Sequence, residues 1–236
     1  DDRPRLGGRL RLAAVPPHKA RYGEACDYLE REIRKLGVDI HLNAAVTEVE
    51  LDSRKPDAVI LATGSVPFVP PIQGLSGGGA VLVDDVLEGR APVGRRVAII
   101  GGGAIGAETA HLLVEEEDRE VYLIEMRDGI AVDLPQDARI CLLHAFEQTP
   151  SLHQITNAKV TAVTPESITL ERQGQTEVVD RLDTIILAVG ARANQGLRPA
   201  LEALGIPFLV SGDATGPKDY VKAIYEGFVA GNTIAE

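Results

Sequence analysis

The chain has 236 residues, 44% of them apolar and 25% charged, with a formal net charge of −11. That is an ordinary globular composition, long enough for roughly one to two domains with a real core. The negative field argues against a nucleic-acid or anionic-membrane partner, because both would be repelled. No run approaches the ~20 apolar residues of a membrane span and no stretch reads as a signal peptide, so a cytoplasmic location is the expectation.

After Pro16 and Pro17, the residues Tyr22, Cys26, Leu29, Ile33 and Leu36 recur at steps of four and three. This is the apolar stripe of an amphipathic helix, ended by Gly37. Val38 to Leu42 and Asp57 to Ala62 read as short strands, the second stopped by Thr63-Gly64. Ser65 to Gly79 is rich in proline and glycine and reads as a connection between domains. From Arg96 the pattern changes: a strand at Val97 to Ile100, a turn at Gly101 to Gly106, a helix to about Glu117 and a strand at Val121 to Ile124. This βαβ unit belongs to layered α/β folds. A further helix is expected near Pro135, with Asp133 as its cap and Ala138, Cys141, Leu142, Ala145 and Phe146 on its buried face. Lys159 to Val163, Ile168 to Glu171 and Thr176 to Asp180 suggest an antiparallel meander, and Thr184 to Val189 a buried strand stopped by Gly190. Pro207 to Val210, Ser211-Gly212-Asp213 and a helix from about Pro217 complete the chain as strand, turn and helix. Cys26 and Cys141 lie far apart and outside any CxxC or CxxxxC spacing, so core thiols are expected rather than a redox pair or metal site. The five histidines form no spacing pattern and are expected to be surface or satisfied residues.

Chemistry concentrates at Gly101-Gly102-Gly103-Ala104-Ile105-Gly106, which follows an apolar strand and opens a helix. In that context the first glycine permits the tight turn, the second lets a pyrophosphate approach the backbone, and the third lets helix and strand pack closely. The helix N-terminus then offers unpaired N–H groups and a positive dipole end to phosphates. Glu125 ends the next strand about 20 residues on, where a carboxylate accepts hydrogen bonds from ribose hydroxyls. Beside a 2′-phosphate it would suffer like-charge repulsion, so NADH is expected over NADPH. Met126 and Arg127 complete that edge, and Arg127 is the weaker voice for a phosphate.

With LATG before it and SGDA after it, VAIIGGGAIGAETA resembles flavoproteins that carry two dinucleotide folds, one for FAD and one for NAD(P)H. RLGGRLRLAAVPP, LATGSVPFVPPIQG, GRRVAIIGGGAIGAE and AIYEGF are similar to the C-terminal region of the 2,4-dienoyl-CoA reductase and trimethylamine dehydrogenase group. The resemblance implies an α/β fold: a Rossmann-like NAD(P)-binding domain, residues 80–205, inserted into a partial FAD-binding domain, residues 1–79 with 206–236. It implies that Gly7 and Gly8 lie near FAD, and that Ala62, Thr63 and Gly64 mark the crossing between the two folds. Gly212 and Asp213 match the pair whose aspartate hydrogen-bonds FAD. Glu108 matches a glutamate near the nicotinamide carboxamide, and Gly190 a loop passing NAD. The implied first strand and glycine fingerprint of the FAD fold would precede Asp1, and so would a barrel domain carrying FMN and an iron-sulfur centre or another redox partner. FAD is therefore expected in the complete protein rather than on this stretch alone. The leading expectation is an NADH-binding module of a flavin-dependent oxidoreductase with no protein acid or base among its catalytic groups. A non-catalytic nucleotide-binding module or a truncated remnant is the alternative.

Overall fold

The computed structural model describes residues 1–115 and 119–234. The chain opens with α1 (Gly8–Ala13), α2 (Ala20–Lys35), α3 (Glu48–Arg54), β1 (Val59–Leu61) and β2 (Ser65–Pro67). It continues through β3 (Val81–Leu82), α4 (Val83–Leu87), β4 (Arg96–Ile100), α5 (Ala104–Glu115), β5 (Glu120–Ile124), α6 (Gln136–Glu147) and β6 (Leu152–Ile155). The remainder is β7 (Ala158–Thr164), β8 (Ser167–Arg172), β9 (Gln175–Val179), β10 (Thr184–Leu187), β11 (Ala191–Ala193), α7 (Arg198–Leu204), β12 (Phe208–Val210) and α8 (Tyr220–Ile234). The expected helix end at Glu117 lies outside the described residues.

These elements form two compact units, one of Asp1–Arg11, Arg21–Val66 and Ala191–Glu236, the other of Leu12–Ala20 and Pro67–Gly190. The second is thus inserted into the first in chain order. The long insertion runs from Pro67 to Gly190, earlier at both ends than the 80–205 domain that the resemblance implies, and Leu12–Ala20 also belongs to the second unit. The reason lies in packing. Ile72 and Leu75, inside the proline- and glycine-rich connection, pack against the apolar cluster of the second unit. Leu197, Ala200 and Leu201 of the α7 region instead join Leu51 and Leu61 in the first.

The second unit is built on a five-stranded parallel sheet of order β3-β10-β4-β5-β6. Its central strands are continuous apolar runs, and Val97, Ala98, Ile99, Val121, Leu123 and Ile186 have no exposed surface. Burying each of the larger ones contributes about 1.5–3 kcal/mol, which places these strands at the centre rather than an edge. Val97, Ile99, Val121 and Leu123 face one cluster with Ala107, Ala110, Leu113 and Phe146 of α5 and α6. Ala98, Ile100 and Ile124 face the other, where the antiparallel sheet β7-β8-β9 contributes Val160, Val163, Ile168 and Leu170. The Rossmann-like parallel sheet and the expected meander are thus both present.

In the first unit β1 pairs parallel with β12, Ile60 opposite Leu209. No strand forms over Val38 to Leu42. That segment is apolar, yet Val38 stays half exposed and no neighbouring strand takes up its backbone groups. The next element is instead α3, started by a capping box: Thr47 Oγ1 accepts from Glu50 N while Glu50 Oε2 accepts from Thr47 N. The helix stripe of α2 forms as expected, but only Cys26 on it is buried, and Leu36 is 80% exposed. Cys26 is a core thiol, whereas Cys141 is exposed on α6, as is Ala138.

Candidate functional site

The turn after β4 is fixed by its own backbone. Gly101 N donates to Ile124 O at 2.8 Å, tying the turn to the end of β5, with Gly101 at φ 106°. A side chain at that φ would be strained, and its Cβ would also meet the Ala188 carbonyl. A Cβ at Gly106 would collide with the Gly101 carbonyl oxygen, so the third glycine is what lets α5 start so close to the strand.

The N–H groups at this helix start divide into two sets. Gly102 N donates to Glu125 Oε2 at 2.7 Å and Ala104 N to Asp133 Oδ1 at 2.8 Å. Those of Gly103, Ile105 and Gly106 have no acceptor among the described residues. Unpaired donors at the positive end of a twelve-residue helix form a cradle for an anion. The space at Gly103 is bounded by Asp133 Oδ2, 3.1 Å from where a Cβ would stand, and by an Arg127 guanidinium nitrogen at 3.7 Å.

Glu125 is 5% exposed, and its second oxygen accepts from Arg127 N at 2.9 Å and Arg127 Nε at 3.2 Å. A carboxylate offers about four acceptor positions, so three hydrogen bonds leave room for a ribose hydroxyl on Oε2. Gly101 to Gly106, Glu125 and Arg127 are therefore brought together. Met126 is 70% exposed and adds only an apolar surface. Gly190, at φ 96°, accepts from Phe68 N at 3.0 Å through its carbonyl. Glu108, one turn into α5, is 8% exposed and forms an ion pair with Lys19. Lys19, 89 residues away, carried no signal in the sequence. Asp133 carries one, but the structure differs from the expected cap of α6: Pro135 stands at the start of α6 with no side-chain bond, while Asp133 caps α5.

The remaining expected site residues lie in the first unit. Asp213 accepts from Ser65 Oγ at 3.1 Å and from Lys218 N at 3.2 Å. Gly212 N donates to Glu226 Oε2 at 2.9 Å, and Lys222 Nζ lies 3.0 Å from the other oxygen. Hydrogen bonding from Lys222 is the main reason the Glu226 carboxyl lies below its ordinary range, against an opposing desolvation. Thr63 Oγ1 bonds the Asn194 carbonyl, Ala62 is exposed, and the Cβ positions of Gly8 and Gly64 face open space. Gly7 differs, since a Cβ there would stand 2.8 Å from Cys26 Sγ. With φ at 110° as well, packing beside that thiol favours glycine at this position.

Comparison with known proteins agrees with this architecture. Residues 52–216 match the family model described as pyridine nucleotide-disulphide oxidoreductase. The bilirubin reductase of Mediterraneibacter gnavus is 35% identical over 97% of this chain and 35% of its own length. The NADH oxidase of Thermoanaerobacter brockii is 31% identical over 94% of this chain and 35% of its own. A solved 2-naphthoyl-CoA reductase superposes with a TM-score of 0.89 at 25% identity, over 96% of this chain and 34% of that one. The chain thus spans about a third of the length of these relatives. Both cysteines are free, so the kinship rests on the nucleotide-binding architecture and not on a disulfide. This chain belongs to the pyridine nucleotide-disulphide oxidoreductase family, within its two-dinucleotide-binding flavoproteins.

Proposed function

We propose that the chain is the NADH-binding module of a flavin-dependent oxidoreductase, in which hydride passes from NADH to FAD for onward electron transfer. The observation that carries this reading is the cradle of unpaired Gly103, Ile105 and Gly106 N–H groups beside the Glu125 carboxylate. The cradle suits a pyrophosphate and Glu125 an adenosine ribose, and the two are joined at Gly102 by a single hydrogen bond. Nicotinamide and flavin supply the hydride chemistry, and the chain's residues bind and orient. NADH over NADPH follows from Glu125, because a 2′-phosphate would stand against a buried carboxylate. Titration calorimetry with both nucleotides tests the reading. Tighter NADH binding is expected. Equal affinities would remove Glu125 from the discrimination, and no binding to either would overturn the proposal.

For the flavin half, the first unit forms part of an FAD-binding domain, in place of residues 1–79 with 206–236, and Gly7, Gly8, Ala62, Thr63, Gly64, Gly212 and Asp213 are its candidate contacts. Redox partners, such as a barrel domain with FMN and an iron-sulfur centre, would occupy the remaining length seen in the relatives. One observation favours a second reading, a nucleotide-binding module without flavin. The Gly212 N–H and the Asp213 carboxylate are already engaged by groups of this chain. The absorbance spectrum of the purified full-length protein separates the two, since flavin bands accompany only the first.

A further inference from the structure

The cradle at the start of α5 already holds a negative charge. Asp133 Oδ1 accepts from Ala104 N at 2.8 Å, and Oδ2 lies along the open side of Gly103. This carboxylate occupies part of the space in which a dinucleotide's phosphates would meet the helix end. Its backbone is not free to withdraw. Ala131 N donates to Gly102 O at 2.7 Å and Arg139 Nε donates to Ile130 O at 2.8 Å. The side chain of Ile130 is 3% exposed, Ala131 is fully buried at φ 52°, and Leu134 N closes back on Ala131 O at 3.1 Å. Asp133 itself is exposed, so its side chain can rotate into solvent while the loop stays in place.

We propose that Asp133 is an internal competitor for the dinucleotide phosphates: it caps α5 through Ala104 N and gives up that N–H when NADH binds. This rests on the dinucleotide reading above. Two costs then fall on binding, the lost cap and the repulsion between a displaced carboxylate and a pyrophosphate still close by. The consequence is an affinity held below what the glycine turn could reach, which favours release of the spent nucleotide. Arg127 opposes the effect, because its guanidinium also lies beside Gly103.

The test uses Asp133→Asn and Asp133→Ser in the 236-residue chain. Both variants remove the charge; Asn keeps a capping oxygen at the reach of Oδ1 for Ala104 N, whereas the shorter Ser does not reach as far. NADH should bind each about two- to fivefold more tightly than it binds the wild type, the range expected for one charge at a helix end. The gain should shrink at high salt, and adenosine, which carries no phosphate, should bind all three proteins equally. Thermal unfolding without ligand checks that the cap survives. If NADH binds wild type and variants equally, or binds the variants more weakly, the competition is overturned and the dinucleotide reading stands. A gain that extends equally to adenosine also overturns it, because the charge would then not act through the phosphates. If NADH binds none of the three, both fall together.

Discussion

At the scale of single residues, the site depends on groups that are buried or closely approached. Glu125 holds the turn, since its Oε2 accepts from Gly102 N, and in the proposed site the same carboxylate would also meet a ribose. Glu125→Arg should weaken NADH binding by roughly 1.5–3 kcal/mol, the worth of a hydrogen bond to a charged group. Preference should move toward NADPH, because a guanidinium can pair with a 2′-phosphate. Glu125→Gln separates the two duties, keeping an oxygen for Gly102 while losing the charge. Dissociation constants for both nucleotides at one ionic strength check this, and an unchanged ratio in the Arg variant would take the carboxylate out of ribose recognition. Gly106→Ala should cost about 1–3 kcal/mol of stability, because the added carbon meets the Gly101 carbonyl and helix or strand must shift. Denaturant midpoints of the variant and wild type measure it. Of these residues, the close-packing duty of Gly106 was legible from spacing alone, and so was the placing of Glu125 beside the turn. Lys19 was not, because only the fold brings it to Glu108.

At the scale of elements, the first residues of β4 and β5 carry an ionic cluster. Glu120 accepts from Tyr122 Oη at 2.7 Å and Arg96 at 2.7 Å, and it lies 3.0 Å from His153 Nε2 on β6. The Tyr122 hydroxyl is the main cause that holds the Glu120 carboxyl below its ordinary range, against partial desolvation and aided by His153 and Arg96. A carboxyl whose folded value is depressed contributes stability above its unfolded value of about 4.3, and that contribution is lost as pH falls through the lower folded value. Glu120→Gln should therefore flatten the decline of stability on acidification below about pH 4.3, with little change in its slope near neutrality. Circular dichroism melts across that range would show it, and an unaltered acid limb would remove Glu120 from the account. In the other unit, Thr47→Ala breaks the capping box of α3 and should cost about 1 kcal/mol. The T-x-x-E pattern was readable there, yet an apolar run just before it suggested a strand that has no partner to pair with.

At the scale of the molecule, the two units differ in how much backbone and apolar surface each secures. The second has a five-stranded sheet between two clusters rich in fully buried side chains. The first has the pair β1-β12 and a cluster in which four residues are buried. Its α8 also leaves Val221, Tyr225 and Phe228 more than 60% exposed. Sheets of two strands have unpaired edges and low local stability. Amide hydrogen exchange should be slower in β4, β5 and β10 than in β1 and β12, and the reverse order would contradict this ranking.

The sequence by itself determined the βαβ unit, the glycine turn with its acidic partner and the meander. Each is written in a local period or a short fixed spacing, and glycine or a carboxylate at those places has few mechanical alternatives. Only the tertiary structure decided where the chain divides, because Ile72 and Leu75 reveal their side of the boundary by what they pack against. It also decided that β3 and β6 are the edge strands of the parallel sheet and that Asp133 caps α5 rather than α6. Hydrogen bonds from side chains to distant backbone depend on where two segments meet in space, and nothing in a linear spacing of 29 residues specifies that meeting.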